Sequence, residues 1–370
     1  MRFGSHPRLG LILRGLVVVF AFVLLGCQKS NQTPAPRAAT SPASSVLVEK
    51  QSDGIHFKTP QAEFSLDKSG YLQARLLIDG HAASLEDNAE APSVELTTAK
   101  HVASDFVRDL SSAKISPANG KLGTTGKRVE VQGYSAGTGL EELLTVETYD
   151  DFPGLAILSA SYKNPTQKTI SLDQVTLQRH RLNAALADAN AKPHEMWAFF
   201  GASLQWGKDD VVQIPAKFEQ ENPLGTPVGT HDDSGSVGGG IPIAAFWTRN
   251  VGLAVGHLET LPLSLSILVK TGADGKVEVG VTVPANAVLK PGDTFATPRT
   301  FVMIYHGDYY EPLRMWSRAV EREGMIPPKN GEENYAVSWC GWGYQANVTP
   351  KQMTGTIPKL SELGIHWATV

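Results

Sequence analysis

Two indoles three residues apart, Trp339 and Trp342, stand in the run Ser338-Trp339-Cys340-Gly341-Trp342-Gly343-Tyr344. An indole offers a broad flat apolar surface and one N–H donor, a surface on which the C–H face of a pyranose can stack. Trp197 and Trp206 lie in a second stretch, from His194-Glu195-Met196-Trp197 to Gln205-Trp206-Gly207, that concentrates aromatic and polar side chains. Acid–base chemistry is harder to find. Glu332 and Glu333 precede an apolar run and read as solvated turn charges. His194 and Glu195 are adjacent, and on a strand they would point to opposite faces. His231-Asp232-Asp233-Ser234-Gly235 lacks the alternating ligands and terminal Glu of a calcium loop and reads as a polar loop. Cys340 has no evident histidine partner and reads as a buried, inert thiol. There is no P-loop, dinucleotide fingerprint or zinc motif, so neither metal nor cofactor is expected.

The elements that must hold these residues are mostly strands. From about residue 47 to 305 apolar residues alternate with polar ones between turn signals. Phe64 and Leu66 alternate before the turn at Lys68-Ser69-Gly70, Leu144 and Val146 before Asp150-Asp151-Phe152-Pro153-Gly154, and Val277, Val279, Val281 and Val283 share a face. Such spacing indicates a large antiparallel sandwich. The run from Ala244 to Thr248 turns at Arg249-Asn250 and returns from Val251 to His257 as a hairpin. Gly238-Gly239-Gly240 just ahead reads as a bend or bulge. At Asp308 the period becomes helical. Asp308 and Glu311 match a capping box, Leu313, Trp316 and Val320 share a face, and Gly324 stops the helix. The run Tyr335 to Trp342 then suits a strand buried on both sides. Thr349, Pro350 and Gln352 cap a helix with Met353, Ile357, Leu360 and Leu363 on its apolar stripe, and Pro358 inside it should kink or split it. Ile365 to Val370 follows as a strand, which makes a βαβ unit with parallel strands.

With 33 basic and 37 acidic residues the net charge is -4, without the clustered Lys/Arg that nucleic-acid binding needs. Charged residues make up 19%, and there are 35 glycines and 23 prolines, a balance that fits a loop-rich β protein. Residues 1–26 read as a targeting segment: Arg2, Arg8 and Arg14 flank an apolar run, Gly15 to Gly26, too short to span a bilayer comfortably. Leu24-Leu25-Gly26-Cys27 resembles the lipobox of bacterial lipoproteins. The resemblance implies that Cys27 is the lipidated N-terminus, that the protein is anchored in the cell envelope, and, with Gln28 next, that it goes to the outer membrane. A plain signal peptide or N-terminal anchor is the other reading. Residues 27–46, rich in Ser, Thr, Pro and Ala, read as a disordered tether.

The segment Ser338 to Tyr344, followed by Thr349-Pro350-x-Gln352-Met353 and by Leu360-x-x-Leu363-Gly364-Ile365-x-Trp367-Ala368, resembles the opening of the α-galactosidase (melibiase) barrel. Gly307-Asp308-Tyr309-Tyr310 and the Trp316 helix resemble the joint between sandwich and barrel in that family. The implied fold is mostly β: a large antiparallel β super-sandwich (galactose-mutarotase-like) over residues 47–306, a linker helix over 307–333, and the first strand, helix and strand of a (β/α)₈ barrel over 334–370. The implied activity is cofactor-independent, retaining hydrolysis of α-galactosidic or related O-glycosyl bonds. The expected partner is an α-galactoside-type oligosaccharide or glycan, with membrane contact through the lipid alone, no nucleic acid, and homo-oligomerisation open.

The same resemblance sets Trp342 at the −1 sugar with Trp339 behind it, the alternative for both being barrel core. It sets Trp197 and Trp206 on the outer wall of the pocket, the alternative being sandwich core. The family's paired sugar-binding aspartates and its catalytic aspartates have no counterparts in this sequence, so no catalytic residue is assigned. The expectation is an N-terminal portion of the enzyme, catalytically silent by itself. Two rivals stand beside it. One is a non-catalytic carbohydrate-binding sandwich lipoprotein. The other is a sandwich epimerase acting through His194 and Glu195, which their adjacency weakens.

Overall fold

A computed structural model describes residues 44–78, 80–86, 92–98, 102–199, 201, 211–224, 241–261, 263–325, 336–341 and 349–369. The targeting segment, Cys27, Trp206, Trp342, Glu332, Glu333, the loop His231 to Gly235 and Gly238 to Gly240 lie outside the described residues.

The described residues build three antiparallel sheets and one short parallel pair. The first sheet is a meander of β1 (Leu47–Lys50), β2 (Gly54–Lys58), β3 (Ala62–Asp67), β4 (Leu72–Ile78) and β5 (His81–Ala83). The second runs in the order β15 (Val211–Gln213), β14 (Trp197–Phe199), β17 (Ile243–Trp247), β18 (Gly252–His257), β22 (Thr300–Tyr305), β12 (Leu155–Lys163), β11 (Glu141–Tyr149), β10 (Gly126–Ser135), β8 (Phe106–Arg108). Its branches are β21 (Thr294–Ala296) on β12 and β9 (Lys114–Pro117) on β10. The third runs β16 (Glu219–Leu224), β19 (Leu265–Thr271), β20 (Val277–Leu289), β13 (Ile170–Leu182), β6 (Glu95–Thr98), β7 (Val102–Ala103).

Period-two apolar positions from all three sheets meet in one core. Phe57, Phe64 and Leu72 come from the first sheet, Val129, Leu144, Leu158 and Phe246 from the second, and Leu177, Ile267 and Val281 from the third. In the middle of the second sheet the alternation disappears. Every residue of β18 and β22 is buried, because that sheet is covered on both faces. Its outer face carries a second apolar cluster, including Phe199, Ala245, Met303 and Tyr305, under the helix α1 (Tyr310–Glu323). No helix among the described residues is long and apolar enough to cross a membrane.

Two polar centres are buried inside this sandwich. The Glu86 carboxylate accepts from the Tyr71 hydroxyl at 2.8 Å and from the Ala74 amide, and it lies 2.6 Å from His180 Nδ1. Nε2 of His180 lies 2.8 Å from Gln178 Oε1, while Gln178 Nε2 donates to Thr300 Oγ1 at 3.1 Å. Thr300 donates its own proton to the Leu158 carbonyl. Gln178 must therefore turn its carbonyl to the imidazole, and Nε2 of His180 carries a hydrogen. This chain of bonds runs from the first sheet through the third to the second. It sits where β13 bulges, with Gln178 at φ 50, a conformation that a non-glycine residue holds only where its surroundings enforce it.

The second centre pairs Arg108 with Glu142 at 2.6 Å and 3.0 Å, both side chains essentially inaccessible. Tyr162 donates to the same carboxylate, and Arg108 also reaches the Ser69 carbonyl in the turn between β3 and β4. Burial pushes the Glu142 carboxyl up, and the adjacent guanidinium pulls against it. Gly133 leaves the room, since a Cβ there would stand 2.8 Å from Glu142 Oε2.

Several local expectations change. Ser44 to Val46 belong to the fold rather than to a tether. The Asp150 carboxylate accepts from Ser44 Oγ, from both the amide and the hydroxyl of Ser45, and from the Val46 amide, and Val46 is fully buried. The capping box at α1 is not made. Asp308 does accept from the Tyr310 amide, but Glu311 turns to Arg314 instead. The box at Thr349 and Gln352 is made, and α2 (Pro350–Glu362) runs unbroken through Pro358. A single missing amide near the exposed end of a capped helix does not outweigh the turns on either side. Two short strands, β23 (Ser338–Cys340) and β24 (Trp367–Thr369), flank α2 and pair in parallel. They make one βαβ unit; two strands do not close a barrel.

Removing one partner of a buried ion pair strands the other charge without water. Arg108→Ala is therefore expected to lower unfolding free energy by about 3–5 kcal/mol, and Arg108→Met with Glu142→Leu by much less. Urea denaturation of the three proteins measures both.

Candidate functional site

Trp339 sits in the middle of β23 and is half-buried. Strand parity puts it on the same side as Gly341. A Cβ at Gly341 would stand 3.6 Å from both the Trp339 ring and the sulfur of Met353 on α2. Trp339 thus packs on the helix side of the parallel pair. Cys340 projects to the other side, which no described element covers, and it is exposed rather than buried. The expectation of a buried thiol fails because a two-stranded sheet with one helix has one bare face.

Trp197 is neither sandwich core nor part of the βαβ unit. It opens β14 on the outer face of the second sheet, 45% exposed. His194 and Glu195 lie in the turn before it, where Glu195 accepts from the Lys192 amide and pairs with the Lys192 ammonium. They are held by local geometry, not as an acid–base pair.

What the sequence reading missed is the company Trp197 keeps. Register places Gln213, Trp197, Trp247, Gly252 and Tyr305 directly opposite one another across β15, β14, β17, β18 and β22. The missing side chain at Gly252 lets the Tyr305 ring lie across the sheet, where a Cβ would collide with it. One row below, Phe199 stacks on Tyr309 at 5.2 Å and 24°. Tyr309 in turn meets Trp247 at 5.6 Å and Tyr310 at 4.3 Å. The result is a row of aromatic rings drawn from β14, β17, β22 and the start of α1, buried at Tyr305 and Phe199, half-buried at Trp247 and Tyr309, and exposed at Trp197 and Tyr310. The alternation Ile243, Ala245, Trp247 was a signal for Trp247. Nothing local told that β14 and β17 would pair.

The start of α1 closes the row because the helix is fixed at several points. Gly307, at φ 114, turns the chain out of β22. Trp316 donates to the His257 carbonyl at 3.1 Å, and Arg322 reaches the Leu122 carbonyl and Asp151. Among the described residues no group of three or more His, Cys, Asp or Glu is gathered as a metal would need.

No model of a protein family matches the chain. A curated relative, the A type blood alpha-D-galactosamine galactosaminidase of Flavonifractor plautii, is 23% identical over 287 residues, which cover 71% of this chain and 24% of the relative. Among solved structures, the GH36 alpha-galactosidase AgaB of Geobacillus stearothermophilus matches with a TM-score of 0.51 at 14% identity, over 87% of this chain and 49% of its own. The galactosidase domain of the alpha-galactosidase-sucrose kinase AgaSK matches with a TM-score of 0.52 at 12% identity, over 88% and 50%. The chain thus spans about half the length of these solved relatives and about a quarter of the curated one. The described fold is that of an α-galactosidase-like N-terminal region.

Below α1, His257 offers a test of how that helix is docked. Loss of hydration holds its imidazole below the ordinary value of 6.5, and its Nδ1 accepts from the Glu259 amide, so the ring is neutral when folded. The unfolded chain takes up this proton from about pH 6.5 downward. Stability is therefore present above that pH and lost as pH falls toward the lower folded value. His257→Gln is expected to flatten this part of the acid decline, read as urea midpoints between about pH 7 and about pH 5.

Proposed function

We propose that this chain forms the N-terminal portion of a retaining glycoside hydrolase acting on α-galactosidic or related O-glycosyl bonds. One observation carries the reading: an antiparallel super-sandwich, shared with the α-galactosidases AgaB and AgaSK, leads through α1 into a strand, helix and parallel strand. In barrels wound from such units the active site stands at the C-terminal ends of the strands. Trp342 follows the end of β23 in sequence and is the residue proposed to stack against the terminal sugar. Trp339, packed between β23 and α2, is a positioning residue for that strand end. Trp206 is proposed for the outer wall of the pocket. Neither carboxylate of a retaining pair is assigned to this chain.

Hydrolysis of a nitrophenyl α-galactoside by the product of the whole reading frame, followed by proton NMR, tests the reading. The α-anomer of galactose is expected first. Release of the β-anomer first, or turnover of the α-glucoside with none of the galactoside, overturns it.

Cys27 is proposed as a lipidated N-terminus that holds the protein at the bacterial envelope, since several acyl chains on one residue give stable anchoring. Cells fed an alkyne fatty acid should label the protein, and Cys27→Ser should abolish the label. Undiminished labelling of the variant refutes the anchor.

A further inference from the structure

We infer that the exposed end of the aromatic row, Trp197 with Tyr310, is a carbohydrate-contact surface in addition to the contact proposed at Trp342. Only its preference for galactosides rests on the proposed function. The Tyr310 ring is already stacked before any ligand arrives. Trp197 lies beside Trp247 in strand register. Tyr310 stacks on Tyr309, and Tyr309 on the buried Phe199. A ligand that lands there orders few side chains, which lowers the entropy lost on binding.

The surface is apolar in its middle and polar at its rim. Trp197 is 45% and Tyr310 56% exposed, while Gln213, opposite Trp197, and Asp308, just before the tyrosines, are exposed polar groups. A pyranose has this same division, with C–H groups on its face and hydroxyls around its edge. Indole and phenol rings meet the face; amide, carboxylate and phenol oxygen can meet the edge. A protein partner would be served by a larger and more apolar patch. The occupant is accordingly one or two pyranose units of an α-galactoside oligosaccharide.

The test uses the full chain in detergent, with raffinose and methyl α-glucoside as probes and saturation-transfer NMR and tryptophan fluorescence as readouts. Trp197→Ala and Tyr310→Ala remove exposed rings, and their folding is checked by circular dichroism. Each is expected to weaken raffinose binding about tenfold, the effect of losing one stacked ring. Val288→Ala, at an exposed side chain of the third sheet, should leave this binding intact. If raffinose binding is lost in Trp342→Ala but unchanged in Trp197→Ala and Tyr310→Ala, the second surface is refuted and the proposed function stands. If binding depends on Trp197 and Tyr310 but favours the glucoside, the surface stands and the galactoside reading falls. No binding of either probe overturns the inference, as does a dimer in sedimentation that Trp197→Ala dissociates.

Discussion

Carboxylates do not survive inside a hydrocarbon core unless their oxygens are hydrogen-bonded, and this sandwich contains two in which both oxygens are. Glu86 is met by a phenol, a backbone amide and an imidazole, and Glu142 by a guanidinium and a phenol. Each centre reaches across sheets. From Glu86 the bonds lead to β4 of the first sheet, β13 of the third, and β22 and β12 of the second. From Arg108 they lead to β11 and back to the turn between β3 and β4. Apolar packing alone is tolerant of sliding, since one valine replaces another at small cost. A buried polar chain has one satisfied arrangement and many costly ones. These two centres therefore define how three sheets are set against one another, and the strained backbone at Gln178 is the local consequence.

The second sheet has a further task, because it is covered twice. Its inner face fills the sandwich and its outer face receives α1. This is why β18 and β22 are buried throughout while β3 and much of β20 alternate. It is also why aromatic side chains gather at the margin of α1. Where the helix begins, the rings pass from full burial at Phe199 to open water at Tyr310, and the sheet continues outward to Trp197 at the same level. The fold thus gathers aromatic side chains at the point where the chain leaves the sandwich for its parallel strands. The packing of α1 is sufficient cause for the rings that are buried.

The amphipathic α2 shows the reverse situation. Leu360 is buried, whereas Ile357, Leu363 and Trp367 are 57%, 60% and 53% exposed. Its local signals are strong nevertheless. The capping box, a proline at the first turn and Gly364 at φ 69 past its end all form. Capping is satisfied within a few residues, so it is realised whether or not the apolar stripe finds a partner.

Local chemistry was enough to read the strands of the sandwich from their alternation, the hairpin at Arg249-Asn250, both helices and the parallel unit at the end. These depend on side-chain period, turn residues and caps, all of which act over fewer than about ten residues. The motif around Trp339 was likewise legible, and it pointed to the α-galactosidase-like region that the fold then bore out. Tertiary structure alone decided the rest. Glu86 and His180 are 94 positions apart, and Arg108 and Glu142 are 34 apart. The row from Gln213 to Tyr305 is assembled from five strands out of sequence order. Whether Trp197 faces water and whether Cys340 is covered depend on which element packs above them. Burial is a property of neighbours brought together by long-range pairing, and no residue carries that information by itself.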